Sequence, residues 1–267
     1  MTTMTRDGGS GALRALRAEW TKLRTEPGTA WILIAICVAT VAVGAGTAAV
    51  TRCGGPGCAV DPTKVSLTGI EVGQAVVAVL AVLVISGEYS TGMIRVTLTA
   101  MPRRWTVLAA KAAALTSLVL AAAVVAVTGS LAAGRLLLAG NGVTVASGIA
   151  AAHGPVVRAA AGSALYLALV GLLTLGIATI VRDSAAATGA VLGILYVPPV
   201  IALFLGSEHT WQRWIERYTP TNAGLAILNT TGLSHPIISP WAGLGVLAAW
   251  AAAALLIAGA LLHVRDA

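Results

Sequence analysis

Six long apolar runs constrain this chain more than any other feature of it. They lie near 30–50, 69–87, 107–133, 159–181, 185–206 and 241–263. Each is long enough to cross a hydrocarbon core of roughly 30 Å, for which about 20 helical residues suffice. Inside that core the backbone finds no water, so only helices or a closed barrel satisfy its amides. The runs are solid with Ala, Leu and Val, whereas barrel strands alternate over about ten residues. The expected fold is all-α: a polytopic membrane protein with six transmembrane helices. Composition agrees, since 57% of the residues are hydrophobic and only 10% charged, against about a quarter charged in soluble domains.

Six spans put both termini on one side. The termini and the connectors on that side hold eleven of the Lys and Arg residues and the opposite side six; the excess marks the cytoplasm. Both termini are therefore expected there. The net charge of +7 is accounted for at membrane ends, and no soluble segment is large enough for a nucleic-acid-binding domain. The first apolar run follows a long charged leader and reads as a retained span rather than a cleaved signal.

Residues 1–12, rich in Thr, Gly and Ser, are expected to be disordered, and 13–267 to form one six-span domain. From Leu13 onward, Leu13, Leu16, Trp20 and Leu23 share one helical face, with Arg17 and Arg24 at its border reaching for headgroups. This pattern predicts an interfacial helix on the cytoplasmic leaflet; the alternative is a cationic leader that only sets topology. The first outer connector carries Cys53 and Cys58 around Gly54-Gly55-Pro56-Gly57, where an oxidising compartment permits a disulfide. Free thiols are the alternative, and a metal would need more ligands than two. The connector 134–157 is Gly-rich and expected to be loose. In the last, Trp211, Trp214, Ile215 and Tyr218 recur at helical spacing and put three aromatics on one face of a short helix at the outer boundary. Pro220 is expected to end it, with a second short helix over 222–228 capped by Thr221 or Asn222. Pro198-Pro199 removes two amide donors and predicts a kink or break in the fifth span.

Residues for chemistry are sparse. Gly87 and Gly92 have the glycine spacing of a phosphate loop, but Met93-Ile94 stand where Lys and Ser or Thr are required. His153, His209, His235 and His263 are scattered without ligand spacing, and no serine has an identifiable base. Neither a catalytic nor a metal site is expected. Among ionisable groups in the spans, Glu71 and Gln74 lie one turn apart, with Glu71 close enough to the outer end to meet headgroups. Lys111 is expected to snorkel back to the cytoplasmic surface. No chain of carboxylates for a proton relay emerges.

The connector 87–105 is longer than two neighbouring membrane helices need. Ser90 or Thr91 is positioned to cap a short helix over 92–99, which leaves Glu88 exposed at its start, and Pro102 suits the first turn of the third span. Arg103 and Arg104 put positive charge at the positive end of that helix, which is locally unfavourable, so topology, anionic lipid or an acidic partner surface accounts for them.

Glu19-Trp20-Thr21-Lys22-Leu23-Arg24 before the first span, Gly-Glu-Tyr-Ser-Thr-Gly-Met-Ile-Arg from Gly87 to Arg95, and Pro-Arg-Arg from Pro102 resemble the type-2 ABC transporter permeases of actinobacteria, over essentially the whole chain. The resemblance implies a multi-pass subunit of a bacterial plasma membrane exporter, without cofactor of its own, that assembles with a second permease subunit, identical or different. A separate cassette ATPase would carry ATP and Mg. It also implies an ATPase-coupling region at 88–104 (Glu88, Gly92, Met93, Ile94, Arg95, Arg103, Arg104), an elbow helix at 13–25, and re-entrant helices forming an outer gate region at 211–228 (Trp211, Trp214, Tyr218). An ion-coupled carrier using Glu71 and a non-transporting scaffold or sensor are the alternatives. A pathway lined by Ala, Leu, Gly and Val suits apolar or amphipathic cargo but selects none.

Overall fold

The computed structural model describes residues 7–52, 60–90, 104–141, 143, 154–205, 210–230 and 238–264. They form α1 (Asp7–Thr25), α2 (Pro27–Val50), α3 (Pro62–Leu67), α4 (Ile70–Ser90), α5 (Arg104–Gly140), α6 (Pro155–Val181), α7 (Ser184–Leu205), α8 (Thr210–Tyr218), α9 (Pro220–Leu225), a 3₁₀ turn (Ala226–Leu228) and α10 (Pro240–Val264). No strand occurs among the described residues. Six segments are long and apolar enough to cross a membrane, the second made of α3 and α4 together. The chain is an all-α polytopic membrane protein.

Local chemistry explains where the helices start and stop. Pro27, Pro62, Pro155, Pro220 and Pro240 each open a helix, where the missing amide would be unpaired anyway and the fixed φ suits the first turn. Asp61 caps α3 by accepting from the amides of Thr63 and Lys64, both at 3.1 Å. After α6, Arg182 adopts a left-handed conformation with φ 62°, and Asp183 then accepts from the Ala186 amide at 2.7 Å to start α7. Two residues, Arg182 and Asp183, thus connect the fourth and fifth spans.

The fourth span, α6, is the centre of the bundle. It packs on α4, α5 and α10, while α2 lies mainly against α5 and α7 against α4 and α6. Of the apolar stretch of each span, 67% is buried in α6 and 61% in the second span, but only 22% in α2 and 17% in α7. The faces of α2 and α7 are left to lipid or to another subunit.

Spans one to three meet through small residues. Gly69, at the joint between α3 and α4, abuts the carbonyl of Thr40, and Gly134 of α5 abuts the Ser66 hydroxyl, so a methyl group at either position would collide. Close backbone approach of this kind is how membrane helices gain packing energy without a hydrophobic drive between them. It also explains why α5 runs through Gly134 to Gly140, well past the expected end near 133. At that end the Asn141 side chain donates to the carbonyls of Ala48 and Ala49 at 3.2 and 3.0 Å, satisfying acceptors that the end of α2 leaves open.

Three boundaries differ from expectation. The first helix starts at Asp7 rather than at 13, because glycines lower helix propensity without forbidding it and extending a formed helix is easier than nucleating one. The helix α7 runs unbroken through Pro198 and Pro199; a proline bends a membrane helix without ending it where neighbours or local adjustment meet the freed carbonyls. Pro220 opens α9 instead of only ending α8, and its N-cap is Thr219, without a side-chain hydrogen bond.

Candidate functional site

At the end of the bundle that carries α1, three contacts fasten different spans together. Leu23 is buried and Leu16 packs on the core, and Glu19, between them on the same face, is 8% exposed. Its carboxylate accepts from Lys111 Nζ at 2.8 Å, and Lys111 is 1% exposed. Lys111 therefore does not snorkel to water: at that depth a carboxylate on α1 reaches it first, and a buried ammonium requires such a partner. The face of α1 is also rotated from the expected one. Trp20 remains 39% exposed, while Glu19 takes its place against α5, paired with Lys111. The Leu13 side chain lies outside the described residues.

The second contact joins Tyr89, near the end of α4, to the turn between α6 and α7. The Arg182 guanidinium lies 5.5 Å from the centre of the Tyr89 ring. The third joins Trp105, in the first turn of α5, to the last span, with its ring 6.1 Å from that of His263 and close against Gly259. Tyr89 and Trp105 flank the connector, so both of its roots are held. Gly92, Met93, Ile94, Arg95 and Arg103 lie outside the described residues, as does the expected helix over 92–99. Glu88 belongs to the last turn of α4 and Arg104 is the first residue of α5. Cys53 and Cys58 also lie outside; Cys37 is a free cysteine.

At the opposite end, α8 and α9 form a hairpin that enters the bundle. The Trp250 indole donates to the Tyr218 carbonyl at 3.0 Å, and Trp250 lies about 15 Å along α10 from its start at 1.5 Å per residue. Gly224 of α9 sits against the ring of Tyr166 and the side chain of Leu247, and Tyr166 lies a similar distance, about 16 Å, along α6. Thr221, Ala223 and Ile227 are buried, whereas Trp211, Trp214 and Tyr218 are 73%, 57% and 45% exposed. The aromatic face thus points away from the bundle while α9 plugs it. Two further ties hold the hairpin's return: Asp61 accepts from the Thr230 amide at 2.7 Å and hydroxyl at 2.6 Å, and Arg158 donates to the Asn229 carbonyl at 2.6 Å.

Beneath the hairpin lies a polar cluster within the spans. The Tyr166 hydroxyl donates to Gln74 Oε1, and Thr221 sits beside it. The Tyr196 hydroxyl donates to the Glu71 backbone carbonyl. Gln74 is 1% and Tyr166 0% exposed, while the Glu71 side chain is exposed. Glu71 and Gln74, one turn apart, therefore serve different surroundings.

The residues that sequence reasoning overlooked are Glu19, Tyr166, Tyr196, Arg182, Asp61 and Arg158. For Tyr166 and Tyr196 the available signal was polarity in an apolar run, since a tyrosine deep in a span requires a partner. Among the described residues no three His, Cys, Asp or Glu side chains converge. No family model matches the chain, and no curated protein matches it.

Proposed function

We propose that this membrane protein is the permease subunit of an ATP-binding-cassette exporter, driven by a separate ATPase that engages the connector between the second and third spans. The observation that carries the reading is the anchoring of that connector. Tyr89 is stacked under Arg182 and Trp105 rests on the last span, so a force on residues 91–103 would reach α4, α5, α7 and α10 together. The buried Glu19–Lys111 pair adds α1 to the same end, and the hairpin at the far end supplies an element whose displacement would open the bundle. As an ATP-driven exporter, a chain without a phosphate loop of its own would take that energy from a partner. The lightly buried faces of α2 and α7 offer room for a second permease subunit.

Purification from native membranes tests the reading. A tagged chain is expected to bring down a cassette ATPase, and deletion of 92–99 or Glu88→Lys to lose it while the six-span fold persists. Unchanged recovery of the ATPase with either variant would refute the assignment. An ion-coupled carrier would need a carboxylate on its pathway, for which Glu71, exposed among the described residues, is the candidate; ATP-independent flux abolished by Glu71→Gln would establish it.

A further inference from the structure

The helix α8 carries more than an aromatic belt. Arg213 and Arg217 lie one turn apart, as do Trp214 and Tyr218, and positions four apart share a helical face. These four residues line a cavity of about 330 Å³. Its aromatic wall is fixed: the Trp214 and Tyr218 rings are 4.5 Å apart and tilted by 32°, and the Tyr218 carbonyl is held by Trp250. The Arg217 guanidinium lies 5.7 Å from the Tyr218 ring centre.

The guanidiniums have no carboxylate of their own. Among the described residues neither Arg213 nor Arg217 makes an ion pair, and the nearby Glu216 carboxylate instead accepts from the Gln212 side chain at 2.9 Å. Arg213 and Arg217 are exposed and make no ion pair among the described residues, so both are open to an anion, and Arg presents a fork that matches phosphate oxygens. The surroundings narrow the choice. Tryptophan and tyrosine beside arginine belong at headgroup level, and the neighbouring end of α7, on which α8 packs, exposes Val200, Leu203 and Phe204. A soluble anion would have no use for such an apolar neighbour, whereas the acyl chains of a lipid would.

We propose that Arg213, Trp214, Arg217 and Tyr218 form a binding site for an anionic phospholipid of the leaflet opposite α1, its phosphate held between the two guanidiniums and its glycerol against the aromatic pair. The site does not depend on ATP coupling; an exporter, a carrier or a scaffold with this hairpin would have it.

Native mass spectrometry of the full-length chain in detergent, titrated with phosphatidylglycerol, phosphatidylcholine or inorganic phosphate, tests it. Phosphatidylglycerol is expected to bind in preference to phosphatidylcholine. The double variant Arg213→Gln/Arg217→Gln is expected to weaken that binding by roughly tenfold, as expected for lost charge-assisted hydrogen bonds, and Trp214→Ala by a smaller factor. Arg213→Lys/Arg217→Lys, which keeps charge but not the fork, is expected to fall between and serves as a second variant should the glutamine pair fail to fold. Arg52→Gln, which removes an exposed cation elsewhere on that end, should change nothing. Equal binding of the two lipids, full binding by a folded glutamine pair, or an equal loss with Arg52→Gln would overturn the site. Displacement of the lipid by millimolar inorganic phosphate would overturn the lipid assignment in favour of a soluble anion.

Discussion

Lys111 illustrates what a single residue can hold together. Its ammonium is removed from water by the bundle, and the Glu19 carboxylate at 2.8 Å is the charged partner that meets it there. Removing one partner leaves the other charge buried, at a cost of about 3–5 kcal/mol, whereas replacing both with apolar residues of similar size is close to neutral. Lys111→Met and Glu19→Gln are therefore each expected to lower the thermal unfolding midpoint in detergent, and the double variant Glu19→Leu/Lys111→Met to recover most of the loss. Additive losses in the double variant would contradict the pairing. From sequence, Lys111 was legible as a charge too deep for comfort, and the remedy read there was its own flexible stem. The actual remedy comes from 92 residues away, a separation that periodicity in either helix does not encode. The same limit hid the hydrogen bond between Tyr166 and Gln74, which joins two spans: Gln74 was legible as a polar residue, its partner was not. Arg182 was visible only as a topology marker, because its place over Tyr89 follows from a left-handed turn and not from composition.

At the scale of elements, local patterns were the more legible the less they depended on neighbours. The six spans follow from length and hydropathy, and α8 from the spacing of Trp211, Trp214 and Tyr218. The seating of α9 does not, since a six-residue helix has too little pattern to declare a buried face, and Pro220 reads equally as a stop or a start. Gly224 is the structural key to that seating, because Tyr166 and Leu247 occupy the space where a side chain would go. Gly224→Leu is expected to lift α9 off Tyr166, and labelling of a cysteine introduced at Thr221 by a water-soluble maleimide checks it. In the parent background that position is buried and should react slowly; with Gly224→Leu it should react several times faster. Equal rates would mean that the hairpin is not held by this contact. The small-residue contacts at Gly69 and Gly134 play the corresponding part among the first three spans, and they explain why the Gly-rich stretch after 133 begins as helix and not as loop.

Across the whole molecule the ties gather at two ends. One end joins α1, the roots of the connector, the turn at Arg182 and the last residues of α10. The other joins Asp61, Arg158, Asn141 and the hairpin. Between them runs α6, two-thirds buried over its apolar stretch and in contact with α4, α5 and α10, a central span through which a displacement would pass from end to end. The proposed function requires that it does so: an ATPase acting on the connector must move the hairpin. The direct measurement uses a chain with its three cysteines replaced by serine and a fluorophore at Gln212→Cys on α8, reconstituted with its partner ATPase in nanodiscs. ATP is predicted to shift the fluorophore's emission in the assembled complex, with no shift for the chain alone or after deletion of 92–99. A signal indifferent to ATP in the complex, or one that persists without the connector, would contradict the account.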